Sequence, residues 1–134
     1  MSKWTHIAGV IRIDQLLIGI KQLTLEDVVN ILQVDAPSGS EGGLRITADK
    51  TQIIETSGFE AVWGSVTFVG DLRDFEDTEK VENWLKQIPG KLKKHQAMIR
   101  QATISIDVEF GPCIGIVWNP RTDNFTVFLA PIPS

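Results

Sequence analysis

The sequence is short of the residues on which many small catalytic and metal sites depend. Among 134 residues there are one cysteine, two histidines and no tyrosine. A single cysteine, Cys113, cannot form an internal disulfide, and it excludes a zinc site built from several cysteines. The lack of tyrosine excludes a tyrosine nucleophile. We therefore expect neither a disulfide framework nor a cysteine-rich metal centre.

The sequence also lacks a basic excess and a long apolar run. It has 13 Lys and Arg against 17 Asp and Glu, which gives a formal net charge of −4. Binding to duplex nucleic acid needs a cationic face, so this charge argues against that partner. No apolar run approaches the ~20 residues that span a bilayer. The first residues also lack the basic start and apolar stretch of a secretory signal. We expect a cytoplasmic protein with no membrane partner.

The composition that remains is typical of one soluble globular domain, spanning residues 1–134, with 43% hydrophobic and 22% charged residues. A capping box of Thr24 and Asp27 precedes apolar residues at helical spacing, which predicts a helix over 25–33. Alternating or β-branched patterns predict strands over 4–13, 44–48, 52–56, 61–69, 102–109, 113–118 and 125–129. A turn is predicted at 49–51. A second helix is predicted to end at Pro89-Gly90.

This order of elements predicts an α+β fold. We expect a single-domain, two-layer sandwich in which an antiparallel or mixed sheet carries two helices on one face. Such an arrangement is typical of a split βαβ, ferredoxin-like fold. A purely parallel sheet is excluded because the last three strands have no helix between them.

No catalytic signature is present. A nucleophilic triad or dyad needs a histidine beside the nucleophile, and neither His6 nor His95 stands in such a pattern. The acidic residues between Asp71 and Glu79 suggest a divalent cation, although they fit an acidic helix start better. We therefore expect a protein that is not an enzyme, with no resident metal or cofactor. A metal-dependent nucleotide hydrolase stays as an alternative.

The strongest binding signals are those for phosphate and for a stacked base. The glycine-rich segment 38–43 can offer backbone N–H groups to an anion, or serve only as a flexible connection. Arg73 stands between two acids, where it can hold a phosphate or simply bridge its neighbours. Trp4 shares a strand face with His6 and Arg12, although a strand tryptophan is more often core. The candidate ligand-binding residues are Trp4, His6, Arg12, Ser40, Gly42, Gly43, Arg73 and Arg100.

Four blocks of sequence occur in a familiar order: WTHIAGVIRID at 4–14, GSEG at 39–42, GDLRD at 70–74 and IRQA at 99–102. This set resembles a group of small, mostly unnamed proteins encoded by bacteriophages and prophages. The resemblance implies a setting rather than an activity. Small phage accessory proteins without catalytic motifs often act against host defence.

Taken with that setting, the residues predict a non-catalytic phage protein that sequesters a nucleotide-derived immune second messenger. Trp4 would stack the base, while Arg73 and Arg100 would hold phosphate. The alternative is an inhibitor that docks an exposed sheet edge or apolar patch onto a host defence protein. A homo-oligomer is expected under either hypothesis, because one-sided sheets and short edge strands commonly pair.

Overall fold

The computed structural model describes residues 3–17, 23–56 and 59–130. Strands account for more than half of the chain. The strands are β1 (Trp4–Leu17), β2 (Ser38–Gly39), β3 (Gly42–Gly43), β4 (Arg45–Thr56), β5 (Phe59–Arg73), β6 (Ala97–Val108), β7 (Cys113–Asn119) and β8 (Asn124–Ala130). The helices are α1 (Leu25–Gln33) and α2 (Thr78–Lys93).

Six of the strands form one sheet in the order β4-β5-β1-β6-β7-β8. Every pair of neighbours in it is antiparallel. β1 lies in the middle, with Ile7 opposite Gly70 of β5 and opposite Ile106 of β6. The two short strands β2 and β3 form a separate hairpin.

The core lies between one face of the sheet and the two helices. Alternate residues of β1, such as Ile7 and Ile11, are fully buried in a single hydrophobic cluster to which both helices contribute. Trp84 of α2 joins the layers: its ring packs edge-on against Phe68 of β5, with centroids 5.2 Å apart. The Trp84 indole N–H donates a 2.8 Å hydrogen bond to the carbonyl of Leu32, at the end of α1. Neither of the two helices formed by the described residues covers the opposite face of the sheet.

The predicted ferredoxin-like, split βαβ sandwich is wrong. A β-α-β-β-α-β chain places four strands in its sheet, whereas the sheet here has six strands and a separate small hairpin lies beside it. The chain instead forms a wide six-stranded antiparallel sheet, a small second sheet and two helices. The element order did not reveal the width of the sheet, because β7 and β8 extend it beyond β6.

The prediction for α1 is confirmed. The helix covers Leu25–Gln33, and its capping box is complete. The Thr24 hydroxyl accepts a hydrogen bond from the N–H of Asp27, and the Asp27 carboxylate accepts one from the N–H of Thr24, both at 3.0 Å. Two orphan N–H groups at the start of the helix are thereby satisfied.

Two predicted breaks are wrong. Residues 49–51 do not form a turn, because β4 runs through them with a register shift between Lys50 and Gln52. That irregularity accommodates an extra residue without ending the strand. The second helix does not end at Pro89, which lies inside α2. Ile88 and Leu92 are buried on either side of the proline, so packing holds the helix together across it.

Candidate functional site on the open face of the sheet

The face of the sheet that no helix covers is here called the open face. It is built by the β1 residues that alternate with the buried ones, and by the residues paired with them on the neighbouring strands, because directly paired residues project to the same side. On β1 these are Trp4, His6, Ala8, Val10, Arg12 and Asp14. They are partly or fully exposed, in contrast to Ile7 and Ile11.

Two rows of small, β-branched or aromatic residues cross the middle of the open face. We call them the central strip. One row consists of Val69, Ala8, Ser105, Gly115 and Phe128. The other consists of Thr47, Thr67, Val10, Thr103, Val117 and Thr126. The strip is uncharged across all six strands, and Arg45 borders it on β4. Val69 and Phe128 are about half exposed, at 54% and 49%.

Phe128 lies across the backbone of Gly115. A Cβ atom at Gly115 would stand 2.4 Å from the ring of Phe128, so only glycine leaves room for this arrangement. The ring thereby packs close to the backbone of the neighbouring strand, while Phe128 stays about half exposed. The close approach extends the apolar surface to the β8 edge of the sheet.

A cluster of charged side chains stands at the end of the open face where β1 begins. His6 lies between Asp71 of β5 and Asp107 of β6 in the sheet register. Its Nδ1 is 2.7 Å from Asp71, and its Nε2 is 3.5 Å from Glu109. The hydrogen bond with Asp71 is the main cause that raises the pKa of His6 above its usual 6.5; partial burial opposes the rise, and Glu109 adds to it. Glu109 also accepts a hydrogen bond from the backbone N–H of Trp4.

Arg73 is held at this end by both an aromatic ring and carboxylates. Its guanidinium carbon lies 6.0 Å from the centroid of the Trp4 ring, a cation–π distance. One of its terminal nitrogens is 2.6 Å from Glu41, and its Nε is 4.0 Å from Asp74. The arginine therefore lies between Glu41 of the glycine-rich segment and Asp74, one of the two acids that flank it in the sequence.

The glycine-rich segment is folded against the end of β5. The Ser40 N–H donates a 3.0 Å hydrogen bond to the Arg73 carbonyl, and the Ser40 hydroxyl lies within hydrogen-bond distance of Asp74. Gly42, with a φ of 131°, and Gly43 form β3 of the small hairpin. The Ser40 N–H, a donor proposed for an anion, is thus already used within the chain.

The structure brings together some of the predicted ligand-binding residues and separates the others. Trp4, His6, Ser40 and Arg73 meet at one end, next to the hairpin of Gly42 and Gly43. Arg12 and Arg100 lie toward the other end of β1. Arg12 is eight residues from Trp4, or about 26 Å at ~3.3 Å per residue. There, Arg12 donates to Gln101, and Arg100 donates a 2.8 Å hydrogen bond to Asp14.

The charges at the Trp4 end oppose the capture of a phosphate group. Around Arg73 and His6 stand the carboxylates of Glu41, Asp71, Asp74, Asp107 and Glu109. Carboxylates repel a phosphate, and those paired with the arginine would have to be displaced from it. This end of the sheet is better suited to a cationic group of a partner.

The sequence analysis missed the central strip as a unit. A signal was present in each strand, since Ala8 and Val10 of β1 alternate with buried residues yet are themselves small or apolar. What joins them to Val69 or Phe128 is strand pairing, which single-strand patterns do not show.

Within residues 3–17, 23–56 and 59–130, no group of three or more His, Cys, Asp or Glu side chains is arranged so that it could hold a metal ion. Among the helices formed by these residues, none is long and apolar enough to cross a membrane. Comparisons of the chain with family models, curated proteins and solved structures found no match.

Proposed function

We propose that this chain is a non-catalytic binding protein that docks its open face onto another protein. The observation that carries the proposal is the central strip: an uncharged surface on all six strands, on the side of the sheet that the helices leave uncovered. Val10, Val69 and Phe128 are exposed apolar side chains within this strip of hydroxyl-bearing residues, and exposed apolar patches typically mark interaction sites.

The dimensions of the open face suit such a role. Six strands at ~4.8 Å spacing make it about 29 Å wide, and Trp4 to Arg12 extends about 26 Å along β1. The product is about 750 Å², close to the ~800 Å² that each partner buries in a stable complex. The whole face, with its charged end, is thus large enough to hold a protein partner.

The charges define the chemistry of that partner. The carboxylates of Asp71, Asp107 and Glu109 border the strip at one end. A partner with a flat apolar or hydroxyl-rich surface and basic side chains at one end of it is complementary to this face. Given the resemblance to phage proteins, we propose that the partner is a host defence protein, met in the cytoplasm of the host cell.

Sequestration of a nucleotide-derived messenger is the rival proposal. It is favoured by the guanidinium of Arg73 near the Trp4 ring, a pair that can stack a base and contact its phosphate. The carboxylate of Glu41, 2.6 Å from the same guanidinium, weighs against it. In a homo-oligomer, a second copy of this chain would occupy the open face instead. One experiment distinguishes a host protein, a nucleotide and a second copy.

The experiment is co-expression of the tagged full chain with host proteins, followed by native mass spectrometry of the purified material. Val69→Glu and Thr67→Lys place a charge in the central strip, whereas Lys86→Glu changes an exposed residue of α2. We expect a stoichiometric host protein with the wild type and with Lys86→Glu, and its loss with both strip variants. Circular dichroism checks that the variants fold.

Three results would overturn the docking proposal. The first is a partner that the two strip variants retain. The second is a bound nucleotide released on denaturation, which supports the rival proposal. The third is a dimer of this chain that Val69→Glu dissociates, because a second copy would then occupy the strip.

A further inference from the structure

A groove of about 560 Å³ lies between α1 and the C-terminal end of α2, on the helical side of the molecule and away from the open face. Its apolar lining comes from Leu23, Ile31 and Val34, and its cationic lining comes from Lys91 and Lys94, with the imidazole of His95 beside them. The volume lies within the roughly 300–1,000 Å³ typical of small-ligand sites. The groove therefore combines an apolar wall with a basic one.

The two lysines of the groove are not engaged in ion pairs with the described residues of the chain. Lys91, Lys94 and His95 stand within one turn of each other at the end of α2, and none of them forms an ion pair with another residue in the described part of the chain. The adjacent Lys93, by contrast, is 2.6 Å from Asp123. The two lysines that face the groove are thus available to an anion.

Asp27 is the acidic residue in the lining of the groove. Its carboxylate accepts the 3.0 Å hydrogen bond from the N–H of Thr24, as part of the capping box of α1. Lys91 and Lys94 together outweigh its single negative charge, so the lining keeps a positive balance.

We propose that this groove binds a small organic anion, in which a phosphate or carboxylate is attached to an apolar body. The lysines at the end of α2 would hold the anionic group by charge-assisted hydrogen bonds. The half-exposed side chain of Val34, with Ile31, would cover the apolar body. The site is separate from the central strip, so it does not depend on the docking proposal.

The test uses 1-naphthyl phosphate as the probe, titrated into the full chain and followed by two-dimensional NMR of the backbone amides. We expect saturable shifts confined to the residues that line the groove, on α1, on α2 and in the segments next to them. The uncharged 1-naphthol should bind at least about tenfold more weakly, because it lacks the charge-assisted contacts. Comparison with 1-naphthoate shows whether the site prefers phosphate or carboxylate.

Charge reversal assigns the site. Lys94→Glu is expected to weaken the binding of 1-naphthyl phosphate by about tenfold or more. The matched variant Lys86→Glu, on α2 but outside the groove, should bind the probe as the wild type does. Val34→Asp should also weaken binding of the probe, because it places a charge in the apolar wall of the groove. Lack of any shift at 10 mM probe, equal binding of 1-naphthol, or full affinity in Lys94→Glu would each overturn the proposal.

Discussion

At the scale of single residues, the protonation of His6 is controlled from two neighbouring elements. Asp71 contacts one nitrogen of the ring from β5, and Glu109 approaches the other from the end of β6. Both stabilise the charged imidazolium, so the pKa of His6 lies above 6.5. The stabilisation of the fold by this group is therefore complete below pH 6.5 and is lost as the pH rises through the raised pKa.

We predict that Asp71→Asn moves the pKa of His6 down toward 6.5, because it removes the strongest of the interactions that raise it. NMR titration of the His6 ring protons measures the shift, and Asp123→Asn, on a carboxylate paired with Lys93, is the control. The side chains of His6 and Asp71 are 42% and 68% exposed, so the effect on the free energy of unfolding should stay within the ~0–1 kcal/mol typical of exposed pairs. An unchanged pKa in Asp71→Asn would contradict the assignment.

At the scale of secondary-structure elements, Gly39 and Gly90 differ in whether there is space for a side chain beside them. A Cβ atom at Gly39 of β2 would lie 2.6 Å from the backbone N and O of Arg73, and these backbone atoms cannot move without disturbing β5. A Cβ atom at Gly90 of α2 would meet nothing within 4 Å. The first glycine is required for close packing of the hairpin on β5, and the second only weakens the helix.

We predict that Gly39→Ala lowers the free energy of unfolding by roughly 1–3 kcal/mol, the usual cost of overpacking. Gly90→Ala should raise it by about 0.5–1 kcal/mol, because alanine favours the helical backbone. Urea denaturation of the two variants and the wild type measures both effects. If both variants changed the free energy of unfolding in the same direction, the surroundings assigned to one of the two glycines would be wrong.

At the scale of the whole molecule, what the sequence revealed was local. The capping box of Thr24 and Asp27 specified α1 because all its interactions lie within four residues. The alternation around Ile7 specified a strand, β1. It did not specify which two strands lie beside β1 in the sheet. Trp4 and Arg73 were both proposed as ligand contacts, and their proximity results from a strand pairing across 69 positions of sequence. Pairing partners depend on the packing of the entire core, which periodicity does not encode.

The single core predicts cooperative unfolding. Ile11 is 0% exposed in the middle of β1, so Ile11→Ala should lower the free energy of unfolding by roughly 2–4 kcal/mol. Val127→Ala, at a 39% exposed position of the edge strand β8, should cost under about 1 kcal/mol. Circular dichroism and tryptophan fluorescence should follow the same transition in urea. Separate transitions for the two probes would show that the sheet and helices do not share one core.

The central position of β1 has a consequence for the synthesis of the protein on the ribosome. β1 is synthesised before the other described strands of its sheet, yet Val108, the β6 residue paired with Thr5, follows it by more than a hundred residues. At ~5–20 residues per second, the ribosome needs roughly 5–20 s to make that stretch. During this interval Ile7 and Ile11 have no completed sheet in which to be buried. A nascent chain in this state is a ready client for chaperones, and its yield on expression should respond to temperature more strongly than its final stability does.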